Sequence, residues 1–407
     1  MTGLAVALVV VGALLAVNLL TAVAVRVTGA RRVRRDAEVE SQLRTAVAEL
    51  SIGSRDNLPP PGSRHERRLL ERAMLEAAAE LSGDAHERLA EQFGALGLAE
   101  AARRDLRSRR AMRRVEAAEA LGEMRVREST GALVAGLEDR DPLVRFACAG
   151  ALTRIGAEGV LLPIIVALAS DRHGATTGEV VETLLDYGRP AIAELLGLLA
   201  TERDPERRRV IAVALGELRA VDAVPELVKC LHEDDDELAA RAAHALGKIG
   251  DPRSAADLAA LVTGARSWIV RAAACGACGQ MAAPEAPPAL ASALADESWH
   301  VRNAAATALV GLEDRGLAAA SARLDRLDDD GVLHLWSALE VTGRSGATIA
   351  RAAGGNRAAD RLVRSALAAG ARARLEELAA SGGGPGGYAR DLLGASSDVP
   401  APAGGPR

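Results

Sequence analysis

The chain has 407 residues, a formal net charge of −5, 26% charged and 49% hydrophobic residues, and 2% aromatic side chains. That length is ample for a large folded body, while the scarcity of aromatics and the absence of period-two alternation exclude a β-rich fold. Four cysteines, Cys148, Cys230, Cys275 and Cys278, stand in apolar contexts without a paired framework, which excludes a disulfide-built scaffold and suits a reducing compartment.

In chain order, residues 3–25 come first (GLAVALVVVGALLAVNLLTAVAV), with no charge and only Asn18 and Thr21 polar. As a helix this run measures about 34 Å, against a hydrocarbon core of roughly 30 Å. A cleaved signal peptide would need a basic leader and a shorter apolar core, whereas the positive charge here follows the run: Arg26, Arg31, Arg32, Arg34 and Arg35. The pattern predicts a membrane anchor at 1–27, single-pass in the inner or plasma membrane, with the amino terminus outside and the rest cytoplasmic. Signal-peptide cleavage is the competing reading.

Residues 28–62 read as a juxtamembrane helix over 36–51 and a linker carrying Pro59, Pro60 and Pro61. Residues 63–107 read as a helical cap, with capping boxes at Ser63–Glu66 and Asp84–Glu87.

From 108 to 343 eight equivalent positions recur: Leu121, Leu152, Leu184, Leu215, Leu246, Cys278, Leu309 and Leu339, at intervals of 31, 32, 31, 31, 32, 31 and 30 residues. Seven residues before this marker stands an arginine in five of the eight units, Arg114, Arg145, Arg208, Arg271 and Arg302. Three before it the residue is usually small (Ala118, Ala149, Ala212, Ala243, Cys275, Ala306), and three after it is apolar. These offsets lie on one face of a helix. Breaks such as Gly188-Arg189-Pro190 and Gly250-Asp251-Pro252 then lead into second apolar helices, among them AIAELLGLLA (191–200) and AVPELVKCLH (223–232). The period predicts an all-α fold, an α-solenoid of about eight two-helix repeats in which each unit buries its apolar face against its neighbours. Residues 344–380 read as a C-terminal helical cap, and 381–407 as a Gly/Pro-rich disordered tail with at most a short helix around Tyr388–Leu393.

Units such as Asp141-Pro142-Leu143-Val144-Arg145-Phe146-Ala147-Cys148-Ala149-Gly150-Ala151-Leu152-Thr153-Arg154-Ile155-Gly156 resemble HEAT-like repeats of the bilin-lyase type, over roughly residues 108–343. The resemblance implies the fold. It leaves function open, since that family spans scaffolds, lyases and a few enzymes.

Several groups invite chemistry. Cys275 and Cys278 form a CxxC, but both fall on buried repeat positions in mid-helix, and no further ligands complete a zinc site. Some hydroxylases with such repeats hold two irons through His-Glu dyads. The dyads here, His65-Glu66, His86-Glu87 and His232-Glu233, are out of register with one another, and the reading is no metal and no cofactor. The second helices balance Lys229, Arg253, Arg323 and Arg326 against Glu194, Glu226, Asp257, Glu285 and Asp325, a surface unsuited to gathering phosphates, so no nucleic acid is expected.

Trp268 and Trp299 both lie ten residues before their markers. They serve either as staples for their helix starts or as a paired recognition hot spot. Arg145, Arg271 and Arg302 either project toward acids in adjacent turns, such as Asp139 or Asp296, as a rail of ion pairs, or the five repeat arginines stand as independent exposed charges worth little each. These readings converge on a non-enzymatic, membrane-tethered scaffold. Its protein partner would be a membrane enzyme such as a glycosyltransferase, or a signalling protein, bound along concave second helices and the Trp268/Trp299 edge. The alternative is an enzyme of the lyase type on the same fold.

Overall fold

The computed structural model describes residues 35, 37–169, 176–265, 267–381 and 383–397, and among them the regular structure is helical, with no strand. The chain divides between Leu168 and Ala169 into two compact units.

The first unit contains α1 (residues 37–51), α2 (Arg64–Glu80), α3 (Asp84–Ala95), α4 (Leu98–Asp105), α5 (Ala111–Glu123), α6 (Thr130–Gly136), α7 (Pro142–Ile155) and α8 (Leu161–Leu168). Although the sequence assigns 28–62 to a separate segment, Leu43, Val47 and Leu50 of α1 and Leu58 of the Pro-rich loop share one core with Leu70, Met74, Leu89 and Phe93. Polar ties hold them there. Arg88 of α3 donates to the terminal carbonyls of α1 at Leu50 (3.2 Å) and Ser51 (2.5 Å), and Leu58 N–H donates to Gln92 (3.2 Å). Ser63 caps α2 by accepting the Glu66 N–H at 3.1 Å. The Glu66 carboxylate takes the Gly62 N–H instead of that of Ser63, so this box is half closed, and Asp84 forms none: the cap of α3 is Gly83, at φ 59°, without a side-chain bond.

The expectation of a single-pass membrane protein is corrected. Among the described residues no helix is long and apolar enough to cross a membrane. Even the 17-residue α2 carries charges throughout its sequence RHERRLLERAMLEAAAE, and its length of about 26 Å falls short of a hydrocarbon core of roughly 30 Å. The run 3–25 lies outside the described residues.

The second unit contains α9 (Thr177–Leu185), α10 (Ala191–Thr201), α11 (Pro205–Glu217), α12 (Val224–Cys230), α13 (Asp236–Ile249), α14 (Ala255–Gly264), α15 (Trp268–Met281), α16 (Ala286–Ala293), α17 (Trp299–Gly311), α18 (Glu313–Ser321), α19 (Asp329–Val341), α20 (Ser345–Ala353), α21 (Arg357–Ala368), α22 (Ala373–Ser381) and α23 (Gly383–Ser397). The eight markers fall on α5, α7, α9, α11, α13, α15, α17 and α19, and all eight are buried. Each first helix ends the same way. The residue four past the marker takes positive φ in every repeat: Arg125, Gly156, Gly188, Arg219, Gly250, Ala282, Glu313 and Gly343. The next residue's N–H reaches back to the marker's own carbonyl at Leu121 (3.0 Å), Leu215 (3.0 Å) and Leu339 (2.7 Å). This left-handed closure satisfies carbonyls that a helix end leaves open.

In four of the repeats a glycine one residue past the marker sets the spacing between stacked first helices. A Cβ on Gly122 would lie 2.6 Å from Ala151 Cα, on Gly216 2.6 Å from Ala245 Cα, on Gly247 2.7 Å from Ala277 Cα, and on Gly279 2.7 Å from Ala308 Cβ. Each alanine stands one residue before the marker of the following repeat, so backbone meets backbone through a Gly/Ala pair. The small residues three before the marker are also fully buried, as at Ala118, Ala149, Ala212, Ala243, Cys275 and Ala306. In α19 that position holds Trp336, buried, with its indole N–H donating to Glu340 at 2.8 Å. The residue after the marker is Val310 in α17 and Glu340 in α19, so the close-packed seam ends where α15 meets α17. Beyond it, helix α23 occupies part of the stretch read from sequence as a disordered tail: Ala389 and Leu392 are buried, and Tyr388 donates to Asp360 at 2.7 Å.

Candidate functional site

The starts of the first helices form an edge of the repeats, and two kinds of side chain occupy it. One is the arginine seven before each marker. Arg114 lays Nε and Nη2 on the two oxygens of Asp139, both at 2.7 Å, and gives Nη1 to the Ser108 carbonyl at 2.8 Å. Arg271 grips Asp296 with the same fork at 2.7 and 2.9 Å, with Nη1 on the Ala265 carbonyl at 3.1 Å. Arg208 holds Glu233, with Nη2 to Oε1 at 2.7 Å. In all three the acid stands 25 residues further on. Arg145 and Arg302 differ, because the residues 25 on are Ser170, outside the described residues, and Leu327. Arg145 donates instead to the Asp139 carbonyl at 2.8 Å, and Arg302 to the Asp296 carbonyl at 2.8 Å, with its Nη2 3.6 Å from Asp330.

Each aspartate thus serves two repeats, its carboxylate taking the arginine before it and its carbonyl the arginine after it. Both carboxylates also accept a turn N–H, Asp139 from Asp141 at 2.9 Å and Asp296 from Ser298 at 2.8 Å. Burial opposes ionisation of Asp139, but its bonds with Arg114 and the Asp141 N–H outweigh that and hold the carboxyl below its ordinary range. Burial likewise opposes ionisation of Asp296, and Arg271 with the Ser298 N–H again prevails. Arg114, Arg145 and Arg271 are themselves buried. These arginines build the repeat.

The second kind of side chain is aromatic. Trp268 and Trp299 are the first residues of α15 and α17, and neither Ser267 nor Ser298 before them makes a side-chain cap bond. Both indoles remain substantially exposed, 43% and 54%. They do not stack on each other. His300 lies between them, parallel to Trp268 (centroids 4.5 Å, planes 20° apart) and steep to Trp299 (5.1 Å, 84°). Trp299 in turn meets His334 of α19 at 5.8 Å and 67°. The His334 Nδ1 lies 2.6 Å from the Asp330 carbonyl, which only accepts, so Nδ1 carries the proton. The result is a four-ring ladder across three neighbouring helices. Repeat register singles out the two tryptophans; it does not find the imidazoles, which sit at unrelated offsets from their markers.

The other candidates are committed elsewhere. Burial raises Cys275 to about 12 and Cys278 to about 11, leaving both as neutral thiols inside α15. His86 is buried with Nε2 2.7 Å from the Glu123 carbonyl, Glu66 accepts the Gly62 N–H at 2.8 Å, and Glu233 belongs to Arg208. Among the described residues no group of three or more His, Cys, Asp or Glu side chains is arranged to hold a metal ion. On the second helices, charges are answered locally, as where Lys229 meets Glu226 at 2.6 Å.

Paired helices stacked at a constant period define an α-solenoid repeat protein. The chain belongs to the HEAT-repeat family: the family model described as HEAT repeats matches residues 98–184, 192–274 and 258–340, more than half of the chain. Among solved structures it is similar to human deoxyhypusine hydroxylase in complex with glycerol, at 21% identity over 68% of this chain and 98% of that one, with a TM-score of 0.28. The complex of CpcE and CpcF of phycocyanin lyase from Nostoc sp. PCC7120 matches at 23% identity over 54% and 91%, TM-score 0.28. Kap121p bound to RanGTP matches at 12% identity over 87% and 46%, TM-score 0.41. Likenesses at these scores carry no argument about activity. No match is found among curated proteins.

Proposed function

We propose that this protein is a non-enzymatic interaction scaffold, and that a protein partner docks on the ladder formed by Trp268, His300, Trp299 and His334. The observation that carries the reading is the exposure of two indoles, 43% and 54%, on a chain with only 2% aromatic residues. Large, rigid aromatic side chains contribute disproportionately to protein interfaces. An indole that serves packing alone is buried, as Trp336 is in the middle of α19. Support for a scaffold over an enzyme comes from the candidate nucleophiles and dyads, whose thiols and carboxylates are committed to packing, caps and ion pairs.

The test is capture with chemical crosslinking from the native host, followed by identification of what co-purifies. The wild-type chain is compared with Trp268→Leu/Trp299→Leu and with a distant surface control, Ile52→Ser, at an exposed position in the first unit. A partner retained by wild type and control but lost by the double variant supports the reading. Retention by all three removes the ladder from the function.

A further inference from the structure

Resting on that reading, we infer that the ladder recognises a cationic side chain, with arginine favoured over lysine, presented by a basic segment of the protein partner. Three observations converge. First, neither imidazole lies parallel to Trp299, since the planes are 84° and 67° apart, so no flat ring already covers a face of this indole, which is 54% exposed. A planar guanidinium stacks on such a face and is attracted by its electron-rich centre.

Second, exposed acids stand at the starts of α17 and α19. Glu297 immediately precedes the Ser298 cap of α17, and its side chain is 89% exposed. Asp329 and Asp330 open α19 and are exposed, the Asp330 side chain by 69%.

Third, the arginines of the same edge have little positive charge to offer a visitor. Arg271 and Arg302 are only 8% and 13% exposed at the side chain, and their donors point to Asp296, to backbone carbonyls and, at 3.4 and 3.6 Å, to Glu297 and Asp330, whose side chains stay mostly in solvent. An aromatic platform with acidic flanks and internally satisfied arginines suits a cation and repels an acidic peptide. A guanidinium on Trp299 could reach Glu297 or Asp330 with its remaining donors, adding charge-assisted hydrogen bonds to the stacking.

The experiment uses the full chain and two short fluorescein-labelled peptides. One alternates arginine and glycine; the other carries citrulline at each arginine, which keeps the planar shape and removes the charge. Fluorescence anisotropy is expected to show the arginine peptide binding wild type about tenfold more tightly than the citrulline peptide. Trp268→Leu/Trp299→Leu should weaken the arginine peptide about tenfold. Glu297→Gln/Asp330→Asn should weaken it about threefold with far-ultraviolet circular dichroism unchanged, which keeps the test valid even if the tryptophan variant misfolds. Equal binding of the two peptides, or arginine binding that survives the tryptophan replacements, overturns the inference. So does concentration-dependent dimerisation of wild type that the tryptophan variant abolishes, because the occupant would then be a second copy of this chain. A natural partner whose capture depends on the tryptophans, alongside equal binding of the two peptides, leaves the scaffold reading intact and removes only the cation.

Discussion

Within the second unit, the seam between first helices and the edge where those helices begin are built on opposite terms. Along the seam, Gly216, Gly247 and Gly279 press against Ala245, Ala277 and Ala308 of the next repeat, and the tolerance is under one methyl group. Along the edge, Trp268 and Trp299 stand in water with imidazoles beside them, in two adjacent repeats only. The seam recurs because each repeat must cover its neighbour's apolar face. The ladder does not recur, and no neighbour requires it. The difference teaches where to look for function in a repeat protein: at the side chains that break the pattern while remaining exposed.

The largest expected effect concerns the buried arginines that share the edge with the ladder. Asp296→Ala strips both oxygens from the buried Arg271 fork and should cost about 3 kcal/mol in urea unfolding, because the arginine is left buried without its acid. The pH dependence has a definite sign. The Asp139 and Asp296 carboxyls are held below their ordinary value in the folded chain. Their stabilisation is therefore complete above about pH 4 and is lost as the pH falls through the lowered values. Asp296→Asn should show a shallower acid-side loss than wild type. An identical acid-side profile would show that this pair contributes nothing through ionisation.

Next in size is a pair of substitutions in one helix. Gly279→Ala drives a methyl to within 2.7 Å of Ala308 Cβ and should cost about 1–3 kcal/mol. Gly276→Ala, three residues earlier in α15, meets nothing within 4 Å and should instead gain about 0.5–1 kcal/mol from helix propensity. Equal effects of the two would dissolve the seam. Smaller still is the gain at the far end of the first helices. Arg219 holds φ 50° where four other repeats have glycine, so Arg219→Gly should stabilise by about 0.5–1 kcal/mol in the same measurement.

Much of this fold was legible in the sequence. The markers, the small residues three before them and the glycine breaks are all sequence periodicities, and the structure realises them as eight helix pairs. The glycines at 122, 216, 247 and 279 were in plain view, yet a search for apolar faces passes over a residue that works by lacking a side chain. The partners of the arginines were only half legible. Asp139 and Asp296 were the right acids, but which arginine takes the carboxylate and which the carbonyl depends on how far one repeat is offset from the next. Helix α1 reads as a charged amphipathic stretch beside a proline-rich loop, and only its packing shows Leu43, Val47 and Leu50 entering the core of α2 and α3. The ladder shows the same limit: register identified Trp268 and Trp299, while His300 and His334 join them through space alone.

If the seam carries stability and the ladder does not, Gly279→Ala and Trp268→Leu/Trp299→Leu will part company when unfolded side by side in urea, followed by far-ultraviolet circular dichroism. A clear fall in midpoint is expected for the glycine variant and a change within about 0.5 kcal/mol for the tryptophan variant, as for surface positions away from structural features. A tryptophan variant that unfolds as early as the glycine variant would contradict this division, and would make those indoles part of the core.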